Sequence, residues 1–220
     1  MPCAPDMNTS ELVGRRWRLT LLLLPFAGGA GLVMHILVDF SLPLAVATLV
    51  TIGALLWLWF SRSMPAAVRQ RVRRRVQMGL GIGLLATAAY DAVRYGVVAL
   101  WSFSFEPFHV IPIFGHLFVG AAAPEALAWV AGLAYHVGNG TGFGVAYILL
   151  FRRPGALTGV VWGLGLELAM ALLYPSWLRL IALEEFLTVS MIGHVTYGCV
   201  LGLAARRYVA REPRRDLSTR

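Results

Sequence analysis

The sequence predicts an all-α polytopic membrane protein, a bundle of six transmembrane helices built around an internal helical-hairpin repeat. Three observations carry this expectation. The 220-residue chain is 58% hydrophobic and 14% charged, with a mean hydropathy of +0.70, whereas a soluble domain carries about 25% charged residues. The apolar residues gather in stretches of the ~20 residues that cross a hydrocarbon core. The chain has no lysine, and its arginines cluster between those stretches. Together these exclude a disordered chain, a soluble enzyme with one core and a small disulfide-stapled domain. Cys3 lies in the N-terminal tail and Cys199 in the last apolar stretch, so they form no disulfide framework.

Taken in order, residues 1–17 are a polar tail and 18–206 the membrane domain, with spans over 18–39, 42–60, 78–101, 124–151, 155–175 and 186–206. Residues 207–220 form a basic tail. Arg15, Arg16 and Arg18 precede span one as they would a signal peptide. The apolar run reaches Val38, beyond the about 7–15 residues of a signal core, and no A-x-A site follows, so span one reads as a retained anchor. After span two, residues 64–76 set Val68, Val72 and Val76 four apart among arginines. That spacing suits a short helix lying on an anionic leaflet, or a charged loop that fixes topology. The connection 102–123 is aromatic-rich and too apolar for a solvated loop, and is expected to dip back into the membrane or cover the bundle.

The arginines fix the expected orientation. The N-terminal edge, the connection holding Arg62 to Arg75, the pair Arg152 and Arg153, and the C-terminal tail contain all of them except Arg94 and Arg179. These segments share one side of a six-span chain, so both termini are expected in the cytoplasm and the protein in the cytoplasmic (inner) membrane. The segment 62–75 would meet the anionic lipids of the inner leaflet. The net charge of +8 therefore reads as topology and lipid contact, with no nucleic-acid partner.

The most informative pattern is a set of rows at spacing four. Span three carries Gly79, Gly83, Thr87, Asp91 and Tyr95; span five carries Gly155, Gly159, Gly163, Glu167 and Ala171. A constant offset of 76 sets Asp91 on Glu167. Span one has a weaker version in Ala27, Gly31, His35 and Asp39. The return helices match as well: His136-Val137-x-x-Gly140-x-x-x-Gly144 in span four and His194-Val195-x-x-Gly198-x-x-x-Gly202 in span six. Small residues four apart let helices approach closely, so the glycines read as packing seams. Packing does not explain the acid or histidine at the end of each row.

Ionisable groups within spans face a cavity or one another. Asp91, Glu167 and His136 lie about 18 Å along their helices, and His194 about 12 Å, at 1.5 Å per residue. All four therefore fall in one central-to-outer slab. Arg94 follows Asp91 by three residues and suits an internal ion pair. The expected ligand-binding residues are Asp91, Asn139, Glu167 and Tyr197, with Ser190 and Tyr174 as companions. His136, Glu167 and His194 form the candidate metal set. Two imidazoles and a carboxylate suit Zn, Mn or Fe, and two axial histidines on a haem are the less favoured cofactor. His35 and Asp39 sit at the outer end of span one. Glu125, Glu184 and Glu185 read as complements to helix N-termini, and Glu106, His109 and His116 as ordinary loop residues.

Three functions fit. One is binding, or transport, of a small ligand or cation at an outward-facing intramembrane His/carboxylate pocket. The second is a metal-dependent intramembrane enzyme acting at the outer face. The third is a non-catalytic subunit or scaffold of a membrane complex, and a homo-oligomer or partner subunit suits any of them. The run from Gly193 to Gly202, GHVTYGCVLG, resembles uncharacterised multi-span membrane proteins of archaea and bacteria with H-x-x-Y-G-x-x-x-G return helices. That resemblance covers about the last 90 residues; it implies a membrane fold and no particular activity. The return helix is also similar to the last helix of rhomboid intramembrane proteases, but no serine sits in a G-x-S-G here, which removes the nucleophile. Size, six spans and inside termini resemble the substrate-binding subunits of energy-coupling-factor transporters in architecture alone.

Overall fold

In the computed structural model, residues 9–151, 153–178 and 182–211 are described, with side chains from Leu21 to Tyr208. The expectations for Cys3, Arg152, Arg179, Arg214, Arg215 and Arg220 lie outside that description, and those for Arg15, Arg16 and Arg18 concern side chains outside it. The described residues form seven α-helices and no strands: α1 (Thr9–Val38), α2 (Leu42–Ser63), α3 (Ala66–Trp101), α4 (Val110–Val119), α5 (Glu125–Leu150), α6 (Ala156–Leu178) and α7 (Leu183–Arg211).

Five of these are long and apolar enough to cross a membrane: α1 over Leu21–Val38, α2, α3, α6, and α7 over Leu183–Tyr208. The expected fourth span is α5, whose 26 residues are long enough but which is not among the five. Its middle, Gly138-Asn139-Gly140-Thr141-Gly142, lowers its apolar content. The same helix packs against α1, α3 and α4, so its polar middle meets protein.

The segment 64–76 is neither a separate helix nor a loop. It is the first part of α3, which runs unbroken for 36 residues. At 1.5 Å per residue α3 is about 54 Å long, against about 30 Å of hydrocarbon, so its arginine-bearing start overhangs the apolar part of the bundle. Val72 and Val76 pack with Leu21, Trp57, Val145 and Leu149. The valine spacing marks a buried face of a continuing helix. Arg69 Nη1 donates to the Ser61 carbonyl across the α2–α3 turn at 3.0 Å.

The small-residue rows are where the helices touch. In the α3–α5 pair, a Cβ at Gly83 would press on the Thr141 and Gly140 backbone, and one at Gly144 would meet Gly83 and Gly79. In the α6–α7 pair, a Cβ at Gly159 would collide with the Gly198 carbonyl and with Gly202, and one at Gly163 with the His194 carbonyl. Absent side chains let both pairs approach backbone to backbone. Met78, Tyr90, Tyr147, Tyr197, Leu201 and Ala205 join the two pairs in one buried cluster.

The aromatic connection folds as α4, packed so closely on α5 that a Cβ at Gly115 or Gly132 would strike the partner backbone. Gly120, at φ +92°, makes the turn into α5. Residues 102–109 are tied down from two directions. Glu185 accepts from Ser104 Oγ at 2.9 Å and Phe105 N at 2.8 Å, and the Arg94 guanidinium donates to the Pro107 carbonyl. Glu185 thus anchors a loop as well as opening α7.

Candidate functional site

The small-residue rows of α3 and α6 each lead to a carboxylate–imidazole pair. Three turns beyond Gly79, α3 presents Asp91, and α5 presents His136 opposite it; His136 Nε2 is 3.0 Å from both carboxylate oxygens. On α6, Glu167 meets His194 of α7, with Nδ1 to Oε2 at 2.7 Å. Ser190, one turn before His194, donates to the same Oε2 at 2.6 Å. The four-residue spacing produces this arrangement. The glycines bring the backbones together, and the next residue on the same face must fill the wider gap with a side chain that bonds across it.

The pairs differ in setting. Asp91 and His136 side chains are 23% and 20% exposed, Glu167 and His194 10% and 14%. Asp91 also faces Arg94 at 3.8 Å. That is an ion-pair distance too long for a hydrogen bond, so His136 is the closer partner of Asp91. Arg94 is 4% exposed, and its Nε has no hydrogen-bond partner. Its guanidinium carbon lies 4.8 Å from the centre of the Tyr90 ring.

The candidate metal set of His136, Glu167 and His194 is not assembled. The two histidines belong to different pairs, and Tyr90 sits beside both, its ring centre 6.1 Å from that of His136 and 4.9 Å from that of His194. Among the described residues no group of three or more His, Cys, Asp or Glu could hold a metal ion. His35 and Asp39 lie apart from the cluster: His35 Nδ1 bonds the Phe40 carbonyl at 3.0 Å, and Asp39, at φ 54°, ends α1.

A cavity of about 440 Å³ opens against these groups. Its wall includes His136, His194, Asn139, Tyr197, Tyr90 and Arg94, set among apolar residues of α1 and α6. Asp91 and Glu167 are not part of the wall. Each is bonded instead to a histidine that does line it. His194 spends Nδ1 on Glu167 and the Ser190 carbonyl (3.1 Å), which leaves Nε2 as its free ring nitrogen. Tyr197 turns its hydroxyl to the Gly140 carbonyl at 2.6 Å and offers the cavity its ring.

Three parts of the site are not read from the sequence. Tyr90 and Tyr135 both line the cavity, and Tyr135 donates to the Gly28 carbonyl at 3.0 Å. Phe26, Gly29, Ala30 and Val33 make α1 a cavity wall; the run Gly28-Gly29-Ala30-Gly31 was the available signal.

Away from the bundle centre, His116 clasps the α4–α5 turn. Nδ1 is 3.1 Å from the Gly120 carbonyl and Nε2 3.4 Å from Glu125. The Gly120 carbonyl first, then the Glu125 carboxylate, hold its pKa above the ordinary histidine value. No family model, curated protein or solved structure matches the chain.

Proposed function

We propose that this is an integral membrane protein that binds a small, largely apolar molecule in the 440 Å³ cavity, with His136 and His194 contacting its polar end. The observation that carries the reading is the meeting of two carboxylate-held imidazoles at the wall of one apolar cavity. Small-molecule pockets run about 300–1,000 Å³, far more than a bare cation fills, so the molecule is taken to be organic. Fixing one imidazole nitrogen on a carboxylate orients the ring and makes the other nitrogen a better acceptor.

In this reading α5 crosses as a sixth span, shielded by α1, α3 and α4. The α3–α5 and α6–α7 hairpins are two copies of one unit. Both termini face the cytoplasm of an inner-membrane protein, with the arginine-bearing start of α3 among anionic headgroups. The α4 end then faces outward.

A second reading is acid–base chemistry on the bound molecule. The Glu167–His194 geometry supports it, since a carboxylate-oriented imidazole beside a ligand cavity is an arrangement used for proton transfer. The test is mass spectrometry of an organic extract of the purified full-length protein, with the His136→Ala/His194→Ala double variant beside it and metal content measured on both. A molecule near one per chain in wild type, reduced tenfold in the variant, is the expected result. A stoichiometric metal lost in the variant, or no retained molecule in either protein, overturns the proposal. Conversion of the extracted molecule by wild type alone would move the assignment to the enzymatic reading.

A further inference from the structure

The cavity has a side entrance. Helices α1 and α6 touch near its two ends: Phe26 meets Trp162 with ring centres 5.9 Å apart, and His35 meets Trp177 at 5.8 Å. Between these contacts, Gly29, Ala30 and Val33 of α1 face the same cavity as Leu166, Ala169 and Leu173 of α6. Val33 and Ala169 are also exposed. From Phe26 to His35 is nine residues of α1 and from Trp162 to Trp177 fifteen of α6, so the gap spans about 14 Å along α1 and about 22 Å along α6 at 1.5 Å per residue. Both helices are among those long and apolar enough to cross a membrane. A gap bounded by apolar side chains at that level opens onto lipid chains.

The cavity's polar wall has a sign. Its polar side chains include Arg94, His136, His194 and Asn139, and no carboxylate is among them. Arg94 lines the cavity at 4% exposure; its guanidinium donates to the Pro107 carbonyl and its Nε is unpartnered, while Asp91, the carboxylate paired with it at 3.8 Å among the described residues, is held more closely by His136. A buried guanidinium whose carboxylate partner is 3.8 Å away and shared with His136 is incompletely neutralised. An oxygen anion at the cavity wall would complete the neutralisation through short charge-assisted bonds. The rest of the wall, toward Phe26, Phe143 and Leu166, is apolar.

We propose that the cavity takes a single-chain membrane amphiphile, whose anionic oxygen head (carboxylate or phosphate monoester) rests on Arg94 and whose chain enters sideways between α1 and α6. The proposal rests on the ligand-binding reading above and adds the ligand's class and its route.

The test uses full-length protein in nanodiscs of neutral phosphatidylcholine. Three probes of one chain length carry a photoactivatable diazirine mid-chain and differ in head: a fatty acid, an alkyl phosphate and a fatty alcohol. Adducts are mapped by mass spectrometry. Saturable labelling of residues 29–36 and 166–173 by the acid or the phosphate is expected, at least tenfold above the alcohol and competed by unlabelled oleate or alkyl phosphate. Whichever anionic probe labels better identifies the head. Arg94→Gln should lower the anionic probe's labelling about tenfold and leave the alcohol's unchanged. Ala169→Trp, at an exposed position in the gap, should slow labelling at least fivefold while leaving the melting temperature of the protein unchanged. Equal labelling by acid, phosphate and alcohol overturns the anionic head, and unslowed labelling of Ala169→Trp overturns the side entrance. If no probe labels the cavity yet wild-type protein retains an extractable molecule, the amphiphile fails and the binding proposal stands. If neither occurs, both fail.

Discussion

The Glu167–His194 pair can be measured as a coupling energy between α6 and α7. Glu167 receives two hydrogen bonds, from Ser190 at 2.6 Å and His194 at 2.7 Å, and is 7% exposed. Glu167→Gln keeps an amide oxygen for Ser190 but loses the charge-assisted bond to His194, worth about 1.5–3 kcal/mol. Glu167→Ala strands both donors, and breaking a buried pair from one side costs about 3–5 kcal/mol. An ordinary interhelical hydrogen bond in a membrane protein averages only about 0.6 kcal/mol. The two scales are far enough apart to decide between a charged dyad and a routine contact. The assay is a double-mutant cycle with Glu167→Gln, His194→Ala and the double variant, unfolded in mixed micelles and followed by far-UV circular dichroism. The expected interaction energy is at least about 1.5 kcal/mol. The same cycle on Asp91 and His136, whose side chains are 23% and 20% exposed, should give less, because solvent competes for both partners. A Glu167–His194 coupling at or below about 0.6 kcal/mol would refute the reasoning, since the pair would then act like any polar contact between helices.

Three further outcomes follow from the contacts. Gly159→Ala should destabilise by about 1–3 kcal/mol by forcing a Cβ into the Gly198 carbonyl, while Gly165→Ala, with open space around it, should be neutral or stabilise by up to about 1 kcal/mol; thermal melts of the two variants check the difference. Glu185→Ala should free residues 102–109 from α7. Losing its bonds to Ser104 and Phe105 removes about 1.5 kcal/mol or more, which is about tenfold in local opening, read as faster limited proteolysis in that loop. His116 should make the α4–α5 turn pH-sensitive. The folded state raises its pKa through the Gly120 carbonyl and Glu125, so its stabilisation is complete below the ordinary value of about 6.5 and disappears as pH rises through the raised one. Amide exchange over residues 116–125, corrected for intrinsic rates, should show weaker protection at about pH 8 than at about pH 5, with the step absent in His116→Gln.

Much of the helical layout is legible because membrane spans and small-residue rows are one-dimensional signals. An apolar stretch of fixed length marks a helix whatever it touches, and glycines four apart mark its contact face. One local reading failed because charge was taken as punctuation. The arginines of 69–75 made the segment before span three look separate, but arginine is a good helix former and Val72 and Val76 continue a buried face. In α5, Asn139 and the glycines around it lower the apolar content of a helix that packs against α1, α3 and α4.

The site shows a deeper limit. Depth along each helix suggested that Asp91, His136, Glu167 and His194 share a slab, but depth says nothing about rotation around the bundle. Grouping His136 with Glu167 and His194 required facing positions that spacing cannot supply. The hairpins instead pair each acid with the histidine of its own return helix, and Tyr90 occupies the space beside both rings. Rotation also decides the sign of the cavity. With the carboxylates turned into the hairpin seams, the imidazoles and Arg94 are left facing inward. A cluster that reads in sequence as a cation site therefore shows the cavity no carboxylate, and among the described residues Arg94 carries the one fixed positive charge on its wall.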